Sequence, residues 1–216
     1  MRKEAFSNGE YYHICNRGVD KRDITSDRFD SDRFIQSIIA FNSTDPIGSI
    51  YEQSFLERNV GKAKPLVNIV AYCLNPNHFH FLLEQVVEKG ISRFMGKVCG
   101  GYASYFNEKY KRAGALLQGK YKARHITNND DLLHASAYVN LNDKVHQLGV
   151  PDPKLIRNSW NEYIGPENKD LCHKSIILNQ FTDKKEYVSF ALESLELMLE
   201  RKKEQKEAKS FEFGDI

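Results

Sequence analysis

The stretch Val67-Asn68-Ile69-Val70-Ala71-Tyr72-Cys73-Leu74, followed by Asn75-Pro76-Asn77 and then His78-Phe79-His80-Phe81-Leu82-Leu83-Glu84-Gln85, decides the fold. The first arm is apolar and rich in β-branched residues, the tripeptide reads as a turn, and the second arm resumes a strand pattern. That is a β-hairpin. Upstream, Tyr11 to Arg17 reads as a strand closed by Gly18, and Asp30–Asn42 places Phe34, Ile38, Ile39 and Phe41 roughly at helical spacing behind the candidate caps Asp30 and Ser31. Downstream, Ile91, Phe94, Met95, Val98, Tyr102 and Tyr105/Phe106 mark one face of an amphipathic helix. Lys120 to Ile126 then alternates like a strand with one polar face, and Asn128–Asp131 supply N-caps for a helix from about Asp131 to Asn142. The order β-α-β-β-α-β-α predicts an α+β fold: a ferredoxin-like antiparallel sheet with helices packed on one face. Ser43–Pro65, with Pro46, Gly48, Gly61 and Pro65, reads as an irregular connection.

The 216 residues are 41% hydrophobic and 12% aromatic, enough to bury a core, which excludes disordered and collagen-like chains. No apolar run approaches the roughly 20 residues that span a bilayer, so the expectation is a cytoplasmic protein with no membrane partner. Cys15, Cys73, Cys99 and Cys172 are scattered and form no C-x-x-C pair, against a disulfide framework or structural zinc site. The net charge of +2 hides an uneven spread: residues 89–125 hold nine basic residues and one acid, Glu108. A local excess of +8 is a polyanion footprint. The C-terminal part is acidic instead, with Tyr187, Phe190/Ala191, Leu195 and Met198/Leu199 forming a helical stripe that fades into the charge run Glu200–Lys209.

Alternation along a strand sends His78 and His80 to one face and Phe79 to the other. Two imidazoles side by side can share a divalent metal. In the helix that ends near Asn142, Tyr138 and Asn142 are spaced i,i+4 and share a face, with His134 extending the stripe. Asn142 offers a neutral oxygen as a third ligand, and Tyr138 a phenol one turn away. A His pair, an amide oxygen, a tyrosine and a basic surface suit metal-assisted attack on a phosphodiester. Mn²⁺ is favoured by imidazole ligands and Mg²⁺ by cellular abundance, so the sequence leaves Mg²⁺ or Mn²⁺ open.

Asn75-Pro76-Asn77-His78-Phe79-His80-Phe81 behind its apolar strand resembles the signature of the HUH single-tyrosine transposases, in the branch of REP-associated, or insertion-sequence-200-like, tyrosine transposases. Tyr12-His13-Ile14 with Asn16-Arg17-Gly18, Leu117-Gln118-Gly119-Lys120-Tyr121-Lys122, Tyr138-Val139-Asn140-Leu141-Asn142 and Ser159-Trp160 with Tyr163 extend the resemblance in order. It departs at Asp143, where relatives usually carry Pro, and at Leu117, where an aromatic is common. The resemblance implies a catalytic domain over 1–166 and a C-terminal helical extension over 167–216. It implies His78, His80 and Asn142 as metal ligands and Tyr138 as the nucleophile that joins the 5′ phosphate of cleaved single-stranded DNA. The implied function is a metal-dependent single-stranded DNA endonuclease and strand transferase acting at DNA hairpins, as a monomer or homodimer. Arg17, Lys109, Lys111, Arg112, Lys120, Tyr121, Lys122 and Arg124 are the candidate DNA-binding residues.

The alternative is a domesticated protein on the same fold that binds hairpin DNA or RNA without cutting. The intact set His78, His80, Tyr138 and Asn142 argues against it, because binding alone needs none of them. An unrelated metal hydrolase or zinc deaminase fits worse, since H-E-x-x-H and H-x-E with P-C-x-x-C are both missing.

Overall fold

In the computed structural model the hairpin forms β2 (Val67–Asn75) and β3 (His78–Gln85), paired antiparallel with Cys73 opposite His80 and Asn75 opposite His78. The structure describes residues 5–46, 48, 50, 64–146, 153–166 and 171–212, with the side chains of 153 and 205–212 left aside. Most of the 43–65 connection, and the very end of the chain, lie outside the described residues.

Strand β1 (Tyr11–Arg17) pairs with β3 on one side and with β4 (Lys122–Ile126) on the other, and β5 (Arg157–Asn158) adds to the β2 edge. The sheet order is β4-β1-β3-β2-β5, entirely antiparallel. The first four strands have the ferredoxin-like order that the sequence predicts. β5 goes beyond that expectation: two residues inside a proline-bearing loop give no alternation to read.

Helices α1 (Arg28–Phe41) and α2 (Gly90–Lys109) cover the face that carries Phe79 and Phe81. Phe34 of α1 lies 5.3 Å from the Phe79 ring and 4.9 Å from that of Tyr102, and Phe94 of α2 lies 6.0 Å from Phe81. All five rings are fully buried, so each stabilises the fold by about 1.5–3 kcal/mol. Truncating Phe34 to Ala would cost about 3–5 kcal/mol, transfer and cavity together. Gly101 lets the helices approach, since a Cβ there would meet the Phe41 ring at 2.7 Å.

The cap of α1 is Asp27 rather than Asp30 or Ser31. Asp27 accepts from the Asp30 amide and Asp30 accepts from the Asp27 amide, a reciprocal capping box that moves the helix start upstream. The opposite face of the sheet is covered by α3 (Asn129–Asn140) and the four-residue α4 (Asn142–Val145), so helices lie on both faces once α3 is counted. Asn128 caps α3 as expected, accepting from the Asp131 amide at 2.8 Å.

The C-terminal part folds back onto this second layer through α5 (Trp160–Ile164), α6 (Ser175–Leu178) and the long α7 (Lys184–Glu212). Tyr187 of α7 is fully buried; its hydroxyl accepts from Asn140 of α3 at 2.9 Å, and its ring lies 5.1 Å from that of Tyr163. Of the predicted apolar stripe on α7, Tyr187 and Ala191 are buried, and Phe190, Leu195, Met198 and Leu199 are partly so. Among the described residues no helix is long and apolar enough to cross a membrane.

Candidate active site

The strand register brings together what the sequence keeps apart. Pairing Cys15 with His80 and Arg17 with His78 puts His13, Cys15, Arg17, His78 and His80 on the face beneath α3. Lys122, opposite Cys15 on β4, shares that face. Tyr138 enters from above, its ring edge-on to His80 at 5.4 Å and to His13 at 5.6 Å. The tyrosine therefore reaches the His pair of its own chain.

α3 breaks at Leu141, and Asn142 opens α4 instead of closing α3. The i,i+4 step survives the break: Asn142 is fully buried, and its Oδ1 lies 3.1 Å from His78 Nε2. Asn75 Nδ2 donates to that Oδ1 at 2.8 Å and faces His78 Nε2 at 2.9 Å. His78 Nδ1 lies 2.6 Å from Asn77 Oδ1, which fixes its proton on Nδ1 and leaves Nε2 as a lone pair. Two lone pairs about 3 Å apart match neighbouring ligands of one small divalent ion with bonds near 2.1 Å.

Two further histidines, outside the set that the sequence singles out, belong here. His146 sits 4.8 Å, ring to ring, from His78, and His78, His80 and His146 offer donor atoms within 4.8 Å of one another. Its signal is present in the sequence, because Tyr138, Asn142 and His146 continue one i,i+4 series; the stripe read there runs backward to His134 instead. His134 turns away, against Phe190 and Ser194 of α7. His13, visible in the sequence only within a resemblance motif, places Nε2 2.8 Å from His80 Nδ1 and stacks on that ring. Alternation along β1 sets its face, but only the register sets its neighbour.

Burial holds these imidazoles neutral. His13 is pushed down to about 4 by desolvation and then by Arg124. His146 is pushed to about 4 by desolvation, His78 and Lys202. His80 falls well below the ordinary histidine range by burial and by three neighbouring histidines, and His78 falls by burial despite its bond to Asn142. Burial raises the Tyr138 phenol, and the Asn142 amide partly opposes that rise.

The site opens into a cleft of about 500 Å³ that contains Tyr138, His78, His80 and His146. Arg17, Lys21, Lys120 and Lys122 line it, and among the described residues no carboxylate does. The Arg17 side chain is held by Gln118, also in the wall. Gly18 sits where a Cβ would meet the Arg22 carbonyl at 2.1 Å, and its amide donates to the Asn77 carbonyl at 2.9 Å, joining the basic loop to the His turn.

The other predicted DNA-binding residues lie outside the cleft lining. Lys109 donates to Asp27 and to the buried Asp30, Arg124 pairs with Asp131, and Arg112 donates to Asn107. Lys111 is exposed with a positive φ of 51° just past α2, and Tyr121 packs partly against the core. Sequence position clusters these charges; the fold separates them.

Residues 55–142 match the model of the family described as transposase IS200 like. The matched segment takes in the His hairpin together with Tyr138 and Asn142. The fold of the chain is similar to a REP-associated tyrosine transposase solved with a REP hairpin, at 12% identity and TM-score 0.46, over 79% of this chain and 88% of that one. It is also similar to a protein from Deinococcus radiodurans R1 described as a transposase candidate, at 13% identity and TM-score 0.38, over 61% and 90%. Among curated proteins none matches the sequence.

Proposed function

We propose that this chain is an IS200-like transposase: a single-stranded DNA endonuclease and strand transferase working through a phosphotyrosine at Tyr138. The observation that carries the reading is the cleft in which, among the described residues, one tyrosine, a neutral imidazole cluster and four cations meet with no lining carboxylate. Such a cleft attracts a phosphodiester and repels nothing on it.

Arg17, Lys21, Lys120 and Lys122 would hold the backbone of the strand, and Gln118 and Asn77 would orient it. Tyr138 Oη attacks the phosphorus, the Oη–P bond forms, and the P–O3′ bond breaks. The phenol proton leaves as the departing 3′ oxygen gains one. The product is a 5′-phosphotyrosine and a free 3′ hydroxyl, and attack by a 3′ hydroxyl reverses the step. One ester is exchanged for another, so cutting and rejoining need no nucleotide hydrolysis.

His78, His80 and Asn142 fit a divalent metal, Mg²⁺ or Mn²⁺, which when bound would polarise a non-bridging phosphate oxygen. Neutral imidazoles keep their lone pairs available for it at neutral pH. The raised Tyr138 phenol needs such help, since among the described residues no carboxylate lines the cleft to act as base. The substrate class is single-stranded or hairpin DNA, with the chain acting as a monomer or homodimer. Residues 1–166 would form the catalytic domain, with 167–216 as its helical extension. The test is a labelled single-stranded hairpin incubated with protein and Mg²⁺ or Mn²⁺: a DNA–protein adduct in wild type, absent in Tyr138→Phe, is the expected result.

A further inference from the structure

We infer that His146 is a direct ligand of the metal centre, making it a set of three imidazoles with one amide oxygen that takes Mn²⁺ in preference to Mg²⁺. The inference rests on the reading of His78 and His80 as metal ligands and goes beyond it in ligand number and metal choice.

Three observations carry it. The donor atoms of His78, His80 and His146 lie within 4.8 Å of one another, close to the span that ligands of one ion occupy. His146 lines the same cleft as Tyr138 and the other two histidines. It also ends the turn that begins at the buried Asn142, with the His146 amide donating to the Asn142 carbonyl at 3.1 Å. The i,i+4 step thus delivers an amide oxygen and an imidazole to one side of His78.

Mg²⁺ is a hard ion held by carboxylates, carbonyls and water, and among the described residues no carboxylate lines this cleft. A third imidazole moves the set further toward nitrogen, which Mn²⁺ and the later divalent metals accept more readily. Lys202 of α7 lies 3.3 Å from His146 Nδ1 and donates to the Val145 carbonyl at 3.0 Å. With Nδ1 facing that ammonium, Nε2 is the atom left for a metal. Coordination through Nε2 puts the proton on Nδ1, and Lys202 then keeps the Val145 carbonyl alone.

The test uses the full chain stripped of metal, with Mn²⁺ and Mg²⁺ as probes. Calorimetric titration gives each affinity, and pulsed electron paramagnetic resonance of bound Mn²⁺ gives the coordinated nitrogens. Wild type is expected to bind Mn²⁺ at least about tenfold tighter than Mg²⁺ and to show three imidazole couplings. Loss of an outer partner already costs roughly 10–100-fold in metal affinity, so His146→Ala should lose at least about tenfold for Mn²⁺. It should drop to two couplings and weaken Mg²⁺ binding by a smaller factor. Metal-free thermal unfolding of His146→Ala, unchanged from wild type, shows that the fold is intact; if it shifts, His146→Phe fills the space and is read in the same way. Unchanged Mn²⁺ affinity and three couplings in the variant would overturn the inference. If His78→Ala abolishes Mn²⁺ binding in that case, only the role of His146 falls. If His78→Ala is also silent, the metal reading of the site falls with it.

Discussion

His13 Nε2 lies 2.8 Å from His80 Nδ1, so a half-buried histidine sets the tautomer of a buried one. If His80 is to present Nε2 to the cleft, its Nδ1 must carry the proton and donate it to His13. Metal-ligating histidines are usually oriented by a carboxylate or a carbonyl. In the proposed metal centre a second imidazole would take that place, and desolvation keeps it an acceptor by holding it neutral.

Replacing that acceptor should weaken the metal site without removing a ligand. His13→Phe keeps the stacked ring but offers no lone pair. We expect roughly a 10–100-fold loss of metal affinity with DNA binding retained. His13→Gln, which restores an acceptor, should recover part of it. Calorimetric metal titration of both variants checks this, and equal affinity in wild type and His13→Phe would contradict it.

Acid should destabilise the metal-free protein earlier than its surface suggests. His13 and His146 hold protons only near pH 4 when folded, against about 6.5 when unfolded. Between those values the unfolded state binds more protons, so stability falls as the pH drops from about 6.5 and levels off below about 4. The melting temperature of apo protein across that window should slope downward, and less steeply in His13→Phe. A flat wild-type profile would refute the burial argument.

Two lysines from the same basic stretch should behave oppositely. Lys109 bonds Asp27 at 2.8 Å and the buried Asp30 at 2.6 Å, so Lys109→Ala should cost about 1–2 kcal/mol in urea unfolding and leave DNA affinity alone. Lys122 lines the cleft, so Lys122→Ala should spare stability and weaken hairpin binding. The slope of log affinity against log salt should fall by about 0.7 for each single-strand phosphate left without its cation. Swapped outcomes would mean that the phosphate surface lies at the end of α2 instead.

That pair also shows where the sequence is legible. Period-two alternation identifies the hairpin and the shared face of His78 and His80, and a single i,i+4 step pairs Tyr138 with Asn142. These are local relations. Counting charges from 89 to 125 cannot tell Lys109, spent on the cap of α1, from Lys122, which faces the cleft, because only register and helix docking separate them. The helix face of α3 is equally silent about direction: His134 and His146 both stand in series with Tyr138. The break at Leu141 and the packing of α7 decide which of them joins the site. Asp27 is hard to read as a cap because its partner Asp30 looks like one itself.

Gly18 links the basic loop to the His turn, and any Cβ there collides with the Arg22 carbonyl. Gly18→Ala should displace Arg17 and Lys21 together, lowering DNA affinity while metal binding at His78 and His80 persists. Hairpin binding by fluorescence anisotropy beside metal titration separates the two. Joint loss of both would show that the substitution disturbs the fold rather than the loop.

The most direct test of the account is whether DNA becomes covalently attached at Tyr138. Labelled single-stranded hairpins from the DNA flanking the gene, incubated with protein and Mn²⁺ or Mg²⁺, would be resolved on denaturing gels and the adduct mapped by mass spectrometry. A 5′-phosphotyrosine at Tyr138 and a free 3′ end on the released fragment are expected, both missing in Tyr138→Phe although that variant still binds the hairpin. Tight hairpin binding with no adduct in either metal, or an adduct undiminished in Tyr138→Phe, would contradict it.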